Sequence, residues 1–364
     1  MRELAFLTTL ALVVAACGGT GTQAPATTAP VAAEASAAPT PTEDPDKAVA
    51  DFYSGKTIRV IVGFGPGGGF DTTARILARH MGKYVPGEPT VVVENMPGAG
   101  SRAAANHLYE VAEPDGLTFG VFNEQQVLQQ ALGDADIKFD ARKFSWLGSV
   151  FSATIVCLAT RESGFTSIEQ TVGSPTPYIV GSTGPGSNTN DFPAVLQAAL
   201  GANIQIVAGY DGTSAISQAV SSGEVDGGCW TWESMSVTQG QNIADGVVVP
   251  LVQQGDPIAD LPDVPLAAEL ATTDQARAMI TAITVPATIS KPFTAPPGVP
   301  ADRLRALRDA FDKAWQDPEL IEETTQAKLD ISAKTADEMQ EIVDELLGYD
   351  TATLAALKEA LGTE

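Results

Sequence analysis

Histidine and cysteine are nearly missing from this chain, which has 2 His and 3 Cys in 364 residues. His80 and His107 are too few for a typical zinc site, and neither stands in a metal-ligand spacing, so no metal is expected. His80 falls in an amphipathic helical run and reads as a helix-surface residue. Nucleophilic catalysis finds as little support. There is no Gly-x-Ser-x-Gly turn, and neither histidine stands beside a donor loop. Positive charge is scarce as well: 21 Lys and Arg against 45 Asp and Glu give a formal net charge of -24. That balance excludes a nucleic-acid surface and argues against binding anionic headgroups. It also sets a constraint. An acidic protein repels an anion at long range, so any anion site must act locally, through dipoles and hydrogen bonds. Asp211, Glu224, Asp226 and Glu233 lack a partner pattern and do not make a glycosidase-like carboxylate pair. Beyond the first residues no apolar run is long enough to cross a bilayer.

The leading segment Leu4 to Ala16 is apolar but too short to span a membrane, which fits a signal-peptide core. Val14-Ala15-Ala16-Cys17 fits a lipoprotein cleavage site, leaving Cys17 as an acylated N-terminus; the alternative is an ordinary cleaved leader. Residues 1–16 are thus expected to be the signal and 17–50 a lipid-anchored flexible linker, since Gly18 to Pro45 is Gly, Thr, Ala, Pro and Ser with almost no large apolar residue. Folded sequence is expected from near Phe52, outside the cytoplasm. The remaining cysteines, Cys157 and Cys229, are compatible with one disulfide or with two buried thiols.

Past the linker the pattern is strand, Gly or Ser/Thr turn, helix, repeated. Strands read at 57–62, 90–94, 117–122, 153–159, 177–182, 204–208, 225–230 and 247–252. Helices read at 71–83, 101–111, 124–132, 189–200, 213–222, 232–243, 302–316, 318–328 and 336–360. This alternation predicts an α/β fold of parallel sheets covered by helices. Two lobes are favoured over one large sheet because turn-rich loops recur in two blocks.

Those loops carry the chemistry. Gly63-Phe64-Gly65-Pro66-Gly67-Gly68 matches G-x-G-x-x-G after a strand, and Glu94 ends the next strand, as in a dinucleotide site. Against that reading, Pro66 removes an N–H from the cradle, and a second glycine turn, Asn95-Met96-Pro97-Gly98-Ala99-Gly100-Ser101, follows at once. Glycines 67 to 69 also suit a smaller anion at the start of the following helix, with Asp71 as its N-cap or as a ligand contact. Gly181 to Asn190 offers hydroxyls, amides and N–H groups at another helix start, and Tyr210-Asp211-Gly212-Thr213-Ser214 does so again. Arg75 and Arg102 read as helix-surface residues.

Taken in order, several motifs resemble the substrate-binding receptors of tripartite tricarboxylate transporters, the Bug family. They are Ile58–Val62 with Gly65-Pro66-Gly67-Gly68-Gly69-Phe70-Asp71, Val91-Val92-Val93-Glu94-Asn95-Met96-Pro97-Gly98-Ala99-Gly100, Pro114-Asp115-Gly116 and Gly209 to Ser214. Gly223-Glu224-Val225-Asp226, Leu261-Pro262-Asp263-Val264-Pro265 and Ala295-Pro296-Pro297-Gly298-Val299-Pro300 follow. The resemblance implies a type II periplasmic-binding-protein architecture: two Rossmann-like lobes around a ligand cleft. Lobe 1 would be 51–152 with 284–364, and lobe 2 would be 153–283. It implies a non-enzymatic receptor for a small organic di- or tricarboxylate. That receptor would be a monomer without cofactor, held to the bilayer by Cys17 and serving the membrane subunits of a transporter. The ligand contacts it implies are Phe64, Gly67, Gly68, Asp71, Asn123, Gln125, Ser182, Thr183, Gly184, Asn188, Asn190, Tyr210, Gly212, Thr213, Ser214 and Asp226. Gly63 stands where the family often has proline, Asn190 where it often has histidine, and Gln125-Gln126 replace a more usual stretch. The alternatives are a sensor feeding a signalling kinase and an exported dinucleotide-binding enzyme.

Overall fold

The computed structural model describes residues 45–327, 329 and 331–362; Cys17, the signal segment and the linker as far as residue 44 lie outside them. The described chain opens with the helix Pro45–Tyr53, upstream of the expected start near Phe52. Val49 and Tyr53 are buried, and Tyr53 Oη donates to the Gly116 carbonyl at 3.1 Å, which ties this helix to the body.

The first sheet begins with β1 (Thr57–Val62), β2 (Thr90–Asn95), β3 (Thr118–Val121) and β4 (Ser145–Ser149). The chain then builds a second sheet from β5 (Ile155–Thr160), β6 (Tyr178–Ser182), β7 (Ile204–Ala208), β8 (Gly227–Thr231) and β9 (Val248–Gln254). It returns to the first with β10 (Phe293–Ala295) and β11 (Lys334–Thr335). Strand orders are β11-β4-β10-β3-β1-β2 and β7-β6-β8-β5-β9. The buried β-branched run Ile58, Val60, Ile61, Val62 suits β1 to an interior position, and it pairs in parallel with β2 and β3.

The α/β class and the two-lobed architecture hold, but the sheets are mixed rather than parallel. β10 runs antiparallel to β3 and β4, and β5 runs antiparallel to β8 and β9. These are the strands on either side of the two crossings between sheets, so their direction is set by the chain's path. The crossing segments are themselves joined by an antiparallel bridge, Phe151 to Ser290.

At the C-terminus the helix expected at 336–360 is two helices, Ala336–Leu346 and Thr351–Leu361, the second capped by Asp350, which accepts from Ala352 N at 2.9 Å and Thr353 N at 3.0 Å. The last helix packs with the second lobe: Leu357 shares a core with Phe192, Leu196, Ile280 and Ile283. Residues 284–364 are therefore not wholly part of the first lobe. The helix Asp274–Thr284, absent from the expected elements, is capped by the Thr273 side chain.

Cys157 and Cys229 face each other across β5 and β8 and are joined as a disulfide. The bridge closes a loop with a sequence separation of 72. Replacing both cysteines by alanine is expected to lower stability by about 3 kcal/mol. Urea denaturation measures this, and an unchanged midpoint would contradict it.

Candidate functional site

The loops leaving the C-terminal ends of β1, β3, β6, β7 and β8 meet between the lobes, the place where open α/β sheets bind ligands. Phe64, Gly68, Gly69, Phe70 and Asn123 of the first lobe face Thr183, Ser187, Asn188, Thr189, Thr213, Trp230, Thr231 and Ser234 of the second around a small cavity. It has about 370 Å³ of space between protein atoms, part of it open to solvent. Two N–H groups of the Gly63–Gly68 loop are already committed, Gly65 N to Asp211 O at 2.7 Å and Gly67 N to Asp71 Oδ2 at 2.9 Å, which argues against a pyrophosphate cradle there.

Four helices that line the cavity begin at it: Gly69–Met81, Asn188–Leu200, Thr213–Ser222 and Trp232–Ala244. Their N-cap residues, Gly68, Ser187, Gly212 and Thr231, make no side-chain cap hydrogen bond. Elsewhere Thr273, Asp317, Thr335 and Asp350 cap their helices with side chains, while Ser101, Leu266 and Pro300 do not. Uncapped first turns keep N–H donors available and place positive dipole ends at one point. This is the local attraction for an anion that a chain of charge -24 requires. No charged side chain among the described residues lines the cavity.

The lobes are closed on one another by direct hydrogen bonds. Gly65 N donates to Asp211 O at 2.7 Å, Gly100 N to Thr183 O at 3.1 Å, and Gln126 Nε2 to Gly186 O at 2.7 Å. Close approach requires glycine at the helix start: a Cβ on Gly69 would lie 1.8 Å from Ser234 Oγ.

Beneath the cavity lies a buried charged cluster. Lys291, fully buried, is ion-paired with Glu233, and its ammonium lies over the rings of Phe70 at 5.2 Å and Phe151 at 4.4 Å. Glu124 accepts from Asn188 Nδ2 at 2.7 Å, and burial pushes its carboxyl up to about 7. Burial likewise raises Asp191 to about 6; it accepts from Gln129 Nε2 at 2.8 Å and Gly186 N at 3.1 Å. For Glu124 the folded value lies above the unfolded one, so its contribution to stability is complete below the ordinary carboxylate range and is lost as pH rises towards 7. Glu124→Gln is therefore expected to flatten the fall in stability between about pH 4.5 and 7. Denaturant titrations at the two ends of that range measure it, and an unaltered slope would contradict it.

Of the residues expected at the site, Phe64, Gly68, Asn123, Thr183, Asn188 and Thr213 line the cavity. Gln125, Ser182, Gly184 and Asn190 stand behind it: Gln125 Nε2 bonds Asn188 Oδ1 at 2.8 Å, and Ser182 Oγ bonds Asn190 Oδ1 at 3.3 Å and accepts from Gly184 N at 3.0 Å. Gly67, Gly212 and Ser214 form the seam between lobes, where a Cβ on Gly67 would meet Ser214 Oγ at 3.2 Å and one on Gly212 would meet Gly65 N at 3.4 Å.

Three placements differ more. Asp71 is not the N-cap but the third helical residue, and its carboxylate takes Gly67 N at 2.9 Å, Arg75 Nε at 2.9 Å and Asn95 Nδ2 at 2.8 Å. Burial pushes that carboxyl up, yet the hydrogen bonds from Arg75, Gly67 and Asn95 outweigh it and hold it below the usual range. Tyr210 turns to Glu224, its Oη at 2.6 Å from the carboxylate, away from the cavity. Asp226 precedes β8, at the end of the strand remote from Thr231, and accepts from Ile179 N at 2.8 Å.

Arg75, Arg102 and His80 are not simple surface residues either. Arg102 pairs with Asp134 at 2.7 Å, and His80 lies between Glu323 at 3.0 Å and Asp317 at 3.5 Å, where Lys83 already supplies a cation 2.6 Å from Asp317. Gly69, Phe70, Ser187 and Thr189, which lie in the expected loops without being named as contacts, also line the cavity, and so do Trp230, Thr231 and Ser234, which were not expected there. The last three had a usable signal: the strand at 225–230 runs straight into the helix at 232–243, the same strand-to-helix junction as the other loops.

Two mixed α/β lobes closed over a cavity of uncapped helix starts define a solute-binding receptor. The profile of the tripartite tricarboxylate transporter family receptor matches residues 73–357, and the chain belongs to that family. Its members are binding receptors, not enzymes. The chain is 28% identical over 279 residues to a UPF0065 protein of Bordetella pertussis, covering 75% of this chain and 80% of the relative. Its fold is similar to that of the periplasmic binding protein BugD, with a TM-score of 0.71 at 21% identity over 86% of this chain and 99% of the other. It is similar also to MatC from Rhodopseudomonas palustris with bound malate, with a TM-score of 0.64 at 22% identity over 84% and 99%.

Proposed function

We propose that this protein is an extracytoplasmic receptor that captures a small organic carboxylate in the interlobe cavity and delivers it to the membrane subunits of a tripartite transporter. The observation that carries the reading is the convergence of four helix starts without side-chain caps on one interlobe cavity. The carboxylate would be held by N–H groups at Gly68 to Phe70, Asn188 and Thr213, with Phe64, Asn123 and Thr183 around it. The malate in MatC and the family's transporter association support both ligand class and destination. Gln125, Ser182, Gly184, Asn190, Gly67, Gly212 and Ser214 then act by shaping and joining the loops. Capture is coupled to closure of the lobes, and the closed face is what a membrane partner would recognise.

Deleting the gene is expected to abolish uptake of a labelled carboxylate that the purified protein binds, with restoration by the wild-type copy. Undiminished uptake together with loss of a transcriptional response to the acid would assign the protein to a sensor pathway instead. The tether is proposed to be the acyl chains on Cys17, with the lobes acting as a monomer. Cys17→Ala is expected to move the protein from the membrane to the soluble fraction, and retention at the membrane would contradict the anchor.

A further inference from the structure

We propose that capture of the carboxylate is coupled to uptake of a proton from solvent, with the Glu124 carboxylate as the main acceptor and Asp191 as a second one at the same seam between the lobes. This rests on the receptor reading above and adds a proton to what the closing protein takes up.

Both groups lie where one lobe meets the other. The helix Gln125–Ala131 follows β3 of the first sheet, and its Val127 packs in the first lobe with Phe122 and Trp146. The helix Asn188–Leu200 follows β6 of the second sheet. The start of the first helix reaches the start of the second: Gln125 Nε2 donates to Asn188 Oδ1 at 2.8 Å, and Gln126 Nε2 to Gly186 O at 2.7 Å. Each carboxylate accepts a side-chain hydrogen bond from the other lobe, Glu124 from Asn188 Nδ2 at 2.7 Å and Asp191 from Gln129 Nε2 at 2.8 Å. Both are buried completely or nearly so.

The nearby cations are committed to other partners. The charged groups facing Glu124 are Lys291 and Glu233; the Lys291 ammonium pairs with Glu233, and Lys291 turns its main-chain N–H to Glu124 at 3.4 Å. Facing Asp191 is Arg102, which pairs with Asp134 at 2.7 Å. Burial without a dedicated counter-charge favours the neutral form, and it raises Glu124 to about 7 and Asp191 to about 6. Parting the lobes takes Asn188 from Glu124 and Gln129 from Asp191 and admits water. Both carboxyls then return towards the ordinary carboxylate range and ionise at neutral pH. Closure reverses this and takes up a proton. The bound anion acts in the same direction. Asn188 lines the cavity, so a ligand carboxylate held there lies one side chain away from Glu124, and a neighbouring like charge disfavours ionisation. The closed state, in which these groups titrate at higher pH, is favoured as pH falls, so affinity decreases as pH rises from about 6 to 8.

The test is calorimetric titration of the purified protein with malate, succinate and benzoate, near pH 7 in two buffers of different ionisation enthalpy and again at about pH 6 and 8. For an acid that binds, the wild type is expected to take up about half a proton per chain or more near pH 7, since a group titrating there is half protonated. Its affinity is expected to be about tenfold higher at pH 6 than at pH 8. Glu124→Gln is neutral at every pH and is expected to lose most of the uptake and of the pH dependence. Asp191→Asn is expected to lose a smaller part, read at the acid end, and reports independently if the first variant fails to fold. Saturable binding with the same heat in both buffers would overturn the proposal and leave the receptor reading intact. Unchanged uptake in both variants would overturn the assignment to Glu124 and Asp191. Binding of none of the acids would count against the receptor reading, and this proposal would fall with it.

Discussion

Lys291→Met is expected to destabilise the protein by about 3–5 kcal/mol. Lys291 has no exposed surface, and its ammonium is paired with Glu233, itself 7% exposed. Methionine fills a similar volume but leaves the Glu233 carboxylate buried without its cation, and that uncompensated charge is the source of the cost. The π faces of Phe70 and Phe151, which attract a cation at 5.2 and 4.4 Å, lose that partner as well. The double variant Lys291→Met with Glu233→Gln removes both charges and is expected to recover most of the loss, since burying a neutral pair avoids the desolvated ion. Urea unfolding of the single and double variants separates these terms. A loss below about 1 kcal/mol in the single variant would mean that Glu233 reaches solvent or another partner.

Gly69→Ala is expected to lower ligand affinity by about a hundredfold or more, with a smaller effect on the stability of each lobe. The added Cβ would lie 1.8 Å from Ser234 Oγ, 2.6 Å from its Cβ and 2.8 Å from its Cα, so one rotamer change cannot relieve the contact. Gly69 opens a helix of the first lobe and Ser234 lies in the first turn of a helix of the second. The clash therefore acts between the lobes and holds them apart. Adding Ser234→Gly removes the hydroxyl and Cβ but not the backbone contact, so rescue is expected to be partial. Titration calorimetry of the two variants checks this, and wild-type affinity in Gly69→Ala would show that closure does not bring these helices together.

The parts of the fold legible in the sequence were those with regular patterning. The helix at 213–222 matches Thr213–Ser222, and the buried β-branched run at 57–62 matches β1. β4 was not legible because Ser145-Trp146-Leu147-Gly148-Ser149 is buried throughout, so no polar alternation marks it. β10 and β11, of 3 and 2 residues, are too short for any periodic signal. The C-terminal helix looks continuous from 336 because Gly348 is a weak interruption; only the Asp350 cap shows the break.

On the cavity wall, Gly68, Asn188 and Thr213 were legible because each stands at a helix start after a turn rich in glycine or hydroxyls. Trp230 and Ser234 carry the same strand-to-helix signal but are easily passed over, because a tryptophan at a strand end reads as core and a serine within a helix reads as filler. Lys291 carried no local sign of burial; its pairing with Glu233 is a long-range contact, 58 residues apart. Asp226 was misplaced by treating a motif as a contact. A strand has two ends, and only its C-terminal end reaches the cavity.

Calorimetric titration of the purified protein with a panel of small carboxylates and NAD tests the central claim most directly. Saturable uptake of one molecule of a carboxylate per chain, without its chemical conversion and without heat from NAD, is the expected result. Binding of NAD alone, or turnover of the acid, would contradict it.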